Sequence, residues 1–371
     1  MKKSVLLLGL LLVLCSCQGQ APLPTGTPLE TLAQPQSQSS LPPPQPVLDP
    51  TPKKTAVTLA WEGQTLSGVY RAQGKDYLDL GELLEAMGQE YLMLPGLSEH
   101  ALQVGAQTYS TRQGGLFDGQ RFFWPVEELS PIGVRSYRPD GELLVLGPSP
   151  CVPSPGVEVP VLMYHAVSDD CWGIRELFVS PKEMEKQLAY MAQQGYTGLW
   201  FSQLDRANEI EKPVILTFDD GYDDNYTQLF PLLKKYNIRA TVFVVTNFVG
   251  QPHYLTQEQI LEMAQSGLVE FQSHTVYHPN LDQVSPEIQR IQLSQSKAWL
   301  ARLLHRIPTV LCYPAGRTNA TTLELAREYY DFGLLMQAGG CYSTDDDPYK
   351  VSHYYVARHT SLAQFQRMIE R

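Results

Sequence analysis

From residue 159 onward the chain alternates between two hydrophobic patterns. Short, nearly unbroken apolar runs rich in Val, Ile, Leu and Phe predict buried strands at 159–164, 197–201, 214–218, 240–245, 269–272, 309–313, 332–336 and 354–358. Between them, apolar residues recur at three- and four-residue spacing. They predict helices over 181–194, 224–236, 256–266, 286 to about 305, 321–330 and from 362. Strands apolar along their whole length, each followed by a helix, imply a parallel sheet covered on its outer face. The number of units favours an α/β architecture, a distorted or incomplete (β/α) barrel of about seven strands, over an open sheet.

The pattern changes upstream. Residues 56–148 carry short alternating segments that predict a small α+β domain. A strand end runs into a helix stopped by Gly88 within 77–88, and a weaker echo of that unit follows at 122–133. This tandem pattern resembles the N-terminal domain of copper amine oxidases. The segment has no cluster of His or Cys, so it offers no visible metal site, and its aromatics suit a core or, as the alternative, glycan binding. Gly147-Pro148-Ser149-Pro150 and Pro153-Ser154-Pro155-Gly156 mark a linker at 149–158, leaving 159–371 as the second domain.

The first 17 residues read as a targeting segment. Lys2 and Lys3 precede an apolar stretch too short to span a bilayer. Leu14-Cys15-Ser16-Cys17 resembles a bacterial lipobox, which implies Cys17 as the lipidated residue and an anchor on the outer face of the cytoplasmic membrane; an ordinary signal peptide cleaved nearby, with the protein secreted, is the alternative. Ten of the 38 residues in 18–55 are Pro and none is aromatic. That composition cannot bury a core and predicts an extended tether. The net charge of −11 becomes two units more negative without Lys2 and Lys3, which argues against a nucleic-acid partner. A monomer is expected. Cys151, Cys171, Cys312 and Cys341 suit either two disulfides, with 151–171 and 312–341 nearest along the chain, or free buried thiols.

Candidate chemistry gathers where predicted strands end, the rim at which barrel enzymes place their sites. Asp219-Asp220-Gly221 closes the strand 214–218. Adjacent strand residues point to opposite sides, so one carboxylate can ligate a cation while the other acts as a base. His274 and His278 follow the strand 269–272, four residues apart, and share a face if the chain turns helically there. Two imidazoles and one carboxylate make a familiar catalytic zinc set with an open position. His165 ends the first strand, and Tyr313-Pro314-Ala315-Gly316 forms a tight turn after the strand 309–313.

These segments make residues 159–370 resemble the polysaccharide deacetylases, the family 4 carbohydrate esterases. Thr217-Phe218-Asp219-Asp220-Gly221 is similar to the first family motif and Ser273-His274-x-x-x-His278 to the second. The resemblance implies Asp219 as general base and Asp220, His274 and His278 as ligands of a divalent metal, zinc by donor set. The third motif departs, because Cys312 stands where the family usually has arginine. Arg358 or Arg317 is then the expected partner of Asp219, with Arg358 favoured, and the main-chain N–H of Tyr313 is expected to serve the oxyanion. Val161-Leu162-Met163-Tyr164-His165 resembles the poly-N-acetylglucosamine deacetylase branch, whose motifs are circularly permuted. This implies His165 as general acid rather than His359, whose side chain should point away if Arg358 points inward. The implied activity is hydrolysis of N-acetyl groups on an N-acetylated glycan polymer. A glycan-binding module with a lapsed site and an amidase on a small non-sugar amide are the alternatives.

Overall fold

The structure, a computed structural model, describes residues 51–94, 99–336 and 340–370. The targeting segment with Cys17, and the tether up to residue 50, lie outside the described residues. No helix among the described residues is long and apolar enough to cross a membrane.

Residues 53–148 build small, mostly antiparallel sheets around one core of Leu59, Leu78, Leu83, Phe122, Trp124 and Leu144. The two units whose sequences echo each other are neighbours. Phe122–Pro125 pairs antiparallel with Lys75–Asp79, Phe123 opposite Asp79. Asp79 then caps the helix Leu80–Ala86, its carboxylate accepting from the N–H groups of Gly81 and Glu82. After Phe122–Pro125 only two 3-10 turns follow, Val126–Glu128 and Ser130–Ile132, because Pro131 interrupts the run.

From residue 158 onward the chain forms a (β/α)-barrel-type fold. The strands of its main path and its closure are β1 (Glu158–Tyr164), β2 (Pro213–Phe218), β3 (Ala240–Val244), β4 (Val269–Ser273), β5 (Val310–Cys312), β6 (Phe332–Leu335), β7 (Cys341–Ser343), β8 (Val351–Ser352) and β9 (Tyr354–Tyr355). The main path runs β7-β1-β2-β3-β4-β5-β6-β8, eight strands rather than about seven. All neighbours are parallel except the edge strand β7 on β1. The ring closes through a broken last strand. β8 pairs with β6, the chain steps over at His353, and β9 pairs with β1, Leu162 beside Tyr354.

Alternation along each strand divides the side chains. Leu162, Tyr164, Leu216 and Phe218 pack outward against Met184, Leu188 and Met191 of α1 (Pro181–Gln194). Val159, Val161, Ile215, Phe243, Val310 and Cys312 fill the interior. Two expected elements differ. The segment 197–201 keeps only Thr197–Gly198 as strand before a 3-10 run, Phe201–Glu209. The helix expected over 224–236 opens with a π turn, Asn225–Leu229, and becomes α2 only at Phe230–Tyr236. Pro231 sits there without the N–H that a continuous α-helix would use.

Residues 53–148 pack at the strand-start end of the barrel, within one compact unit. Arg135 makes a two-pronged ion pair with Asp331, at 2.8 and 2.6 Å, just before β6. Ala60, Leu143 and Val145 share an apolar cluster with Ala301 and Ile307. The opposite end, where β1 to β6 finish, is left to the site.

Candidate active site

Asp219 leaves β2 still extended, its N–H donating to the Tyr164 carbonyl at 2.9 Å. Asp220 and Gly221 then both turn left-handed, at φ 75° and 76°. That reversal sends the two neighbouring carboxylates apart. Asp219 is buried at 3% exposure, while Asp220 reaches the rim. Thr275, His278 and Ala315 also hold positive φ, so non-glycine backbone strain concentrates at this mouth.

Beyond β4 the chain does not turn helically. Thr275 and His278 adopt left-handed conformations at φ 68° and 58°. The Val276 and Tyr277 N–H groups both donate to Oε1 of Gln292, on the long helix Pro286–Leu304, at 3.0 and 2.9 Å. The loop still brings the imidazoles of His274 and His278 together, ring centres 4.7 Å apart. Both Nε2 atoms lie 3.6 Å from Oδ1 of Asp220. Four donors about 2.0–2.1 Å from a tetrahedral zinc stand roughly 3.4 Å from one another, so the cradle has the spacing such an ion needs. Nδ1 of His274 lies 2.8 Å from the Cys312 carbonyl, which can only accept. The proton therefore sits on Nδ1, and the Nε2 lone pair faces the cradle.

The electrostatics follow from burial and grouping. Burial alone would raise the Asp220 carboxyl, but the imidazoles of His274, His165 and His278 and the Tyr222 hydroxyl bring it below the ordinary value. Burial, and next the His278 ring, push His274 down to about 3, so it stays neutral and available as a ligand. Asp219 is driven well above the usual range by burial and then by the Asp220 charge, with the Cys312 thiol opposing. His165 is lowered by burial, against the pull of Asp220. Asp219, His274 and Cys312 also fall within ligand distance of one another, but this second group shares His274 with the first.

These residues line one cavity of about 480 Å3. Two of its buried polar atoms have no hydrogen-bond partner: Oδ1 of Asp219 and Nδ1 of His165. A third is Nδ1 of His353, a residue that sequence reasoning missed. His353 is 2% exposed, lines the same cavity, and is pushed to about 3 by burial and then by His165. Its signal was the pair Val351-Ser352 before it. A strand read from 351 instead of 354 ends on this histidine. Buried polar atoms are seldom left unsatisfied, so three around one cavity mark a place built for a polar ligand.

Two expectations fail on geometry. The Tyr313 N–H already donates to the Leu334 carbonyl at 3.1 Å in the β5–β6 ladder, so it is not free for an oxyanion. Gly316 and Arg317 donate to Tyr313 and Pro314, and Pro314 has no N–H; the main-chain donor left on this turn is that of Ala315, which lines the cavity. Arg358 does not reach Asp219, because its guanidinium binds Cys171 Sγ and the Phe178 carbonyl, at 2.9 and 3.1 Å. Arg317 is held by Asp282. What touches Asp219 is the Cys312 thiol, 3.4 Å from Oδ2. Of the two readings of the cysteines, neither disulfide pair is made; Cys312 is engaged with Asp219 and Cys171 with Arg358. His359 is exposed beside Glu176 and outside the cavity.

Comparison with known proteins places this geometry. Residues 206–330 match the family model for polysaccharide deacetylases. YxkH of Bacillus subtilis, assigned to the polysaccharide deacetylases, is 34% identical over 221 residues, covering 57% of this chain and 76% of that one. The poly-β-1,6-N-acetyl-D-glucosamine N-deacetylase of Escherichia coli K12 is 25% identical over 256 residues, covering 56% of this chain but only 38% of that enzyme. The Streptococcus pyogenes deacetylase PplD, solved with acetate, superposes with a TM-score of 0.55 at 34% identity, over 58% of this chain and all of that one.

Proposed function

The chain belongs to the polysaccharide deacetylase family, and on that footing we propose that it is an exported, metal-dependent enzyme. In this reading it removes N-acetyl groups from an N-acetylglucosamine-containing polymer of the cell surface or its surroundings. The observation that carries the reading is the convergence of Asp220, His274 and His278 on one point, beside the unpartnered Asp219 Oδ1 and His165 Nδ1. The poly-N-acetylglucosamine deacetylase among the relatives supports the substrate class.

Asp220, His274 and His278 would hold the divalent ion, zinc by donor type. When bound there, such an ion polarises the acetyl carbonyl and lowers the pKa of water. Asp219 accepts the proton of the attacking water at Oδ1, and its raised proton affinity suits it to that role. The Ala315 N–H donates to the carbonyl oxygen as charge grows on it. His165, across the mouth, delivers a proton to the departing nitrogen, leaving a free amine on the sugar and acetate.

The test is acetate release from β-1,6-linked N-acetylglucosamine oligomers, measured with metal content on the same protein. His278→Ala should lower bound divalent metal and deacetylation together. A metal-loaded wild-type protein that releases no acetate from any N-acetylated glycan overturns the reading. For location, the lipobox-like sequence supports a lipid anchor at Cys17 on the outer face of the cytoplasmic membrane. Cys17→Ser should move the protein from the membrane fraction to the medium, and unchanged retention would sink the anchor.

A further inference from the structure

We propose that Cys312 is the residue that positions the base, its thiol turning Asp219 so that one carboxylate oxygen is tethered and the other is offered to the reaction. This inference rests on the reading of Asp219 as general base. Three observations carry it. The Cys312 thiol is 3.4 Å from Asp219 Oδ2 and both side chains are buried, at 2% and 3% exposure. Oδ1 of the same carboxylate faces the cavity with no partner. Neither nearby arginine is available, Arg358 being spent on Cys171 and Phe178 and Arg317 on Asp282.

The chemistry separates this thiol from a guanidinium. An arginine would grip both oxygens and add a positive charge, leaving the base less able to take a proton. A thiol has one weak donor and no charge. It fixes the rotation of the carboxylate by occupying one oxygen only. The same residue fixes a second part of the site independently, because its main-chain carbonyl accepts from Nδ1 of His274. Side-chain substitution leaves that contact in place, so the two roles of Cys312 can be told apart.

The experiment compares Cys312→Ser with Cys312→Ala in the full chain. Serine keeps a donor on a slightly shorter arm, whereas alanine removes it. Losing one hydrogen bond to a charged group corresponds to about a 10- to 100-fold effect. The expected result for alanine is that drop in kcat, with KM and metal content unchanged and with serine recovering most of the loss. Wild-type kcat in the alanine variant overturns the proposal. So do equal losses in both variants, which would mean packing, and loss of metal with the thiol, which would make Cys312 a ligand instead. A measurement on the resting protein needs no activity. The Cys312 S–H stretching band, identified by its absence in Cys312→Ala, should shift in Asp219→Ala, and a band that does not move overturns the contact. If wild type and Asp219→Asn release acetate equally, the base assignment has failed, and the infrared result still reports on the contact alone.

Discussion

Asp219→Asn should lower acetate release from acetamide glycans about 1,000-fold while leaving bound metal at the wild-type level. The variant is nearly isosteric, and its amide oxygen can still accept the Cys312 thiol, so the cavity keeps its shape. What disappears is a group able to take a proton. Asp220, which faces the two imidazoles, is untouched, so a fall in metal content is not expected. Kinetics and metal analysis on one preparation check this. An Asn variant with a tenth or more of wild-type activity would mean that the base is elsewhere.

His165→Ala should separate substrates by their leaving group. Loss of a general acid costs on the order of 100- to 10,000-fold when the leaving nitrogen must be protonated, and much less when the leaving group departs unaided. Acetamide glycans should therefore lose most of their rate, and an activated aryl acetate should lose little. His359→Ala should change neither, because that imidazole lies in solvent beside Glu176. Equal loss on both substrates in His165→Ala would recast this residue as a structural prop, and a substrate-dependent loss in His359→Ala would move the acid there.

The parts of the site that could be read from the chain are those fixed by neighbours in sequence. Asp219 and Asp220 follow a buried strand and precede a glycine, so their divergence is a local property. His274 and His278 were readable as a pair, but the helical turn imagined between them is a loop strained at Thr275 and His278. Readings that depended on strand ends fared worse. Tyr313 looked like the start of a loop, yet its N–H belongs to the β5–β6 ladder. Arg358 was assigned to a strand end, whereas the strand breaks at His353 and stops at Tyr355. That one break hid His353 and misplaced Arg358 together. Cys312 and Cys171 follow the same logic: chain proximity alone leaves bridges and unbridged thiols both open, and each of the two is held by a polar group distant in sequence.

The broken closure of the barrel also bears on how the enzyme matures. β1, the first strand of the barrel, gains its β9 partner only when residues 354–355 have been added, so the ring joins nearly the two ends of the domain. Such long-range pairing is slow to form, because the loop-closure entropy must be overcome before the contact stabilises anything. The cavity takes His165 from one side of this seam and His353 from the seam itself. A chain still being synthesised would hold Asp219, Asp220 and both metal-facing histidines, yet lack the part of the cavity wall that His353 and Tyr355 complete. Competence should therefore appear late and all at once, with the final strand serving as the step that commits the chain to its working form.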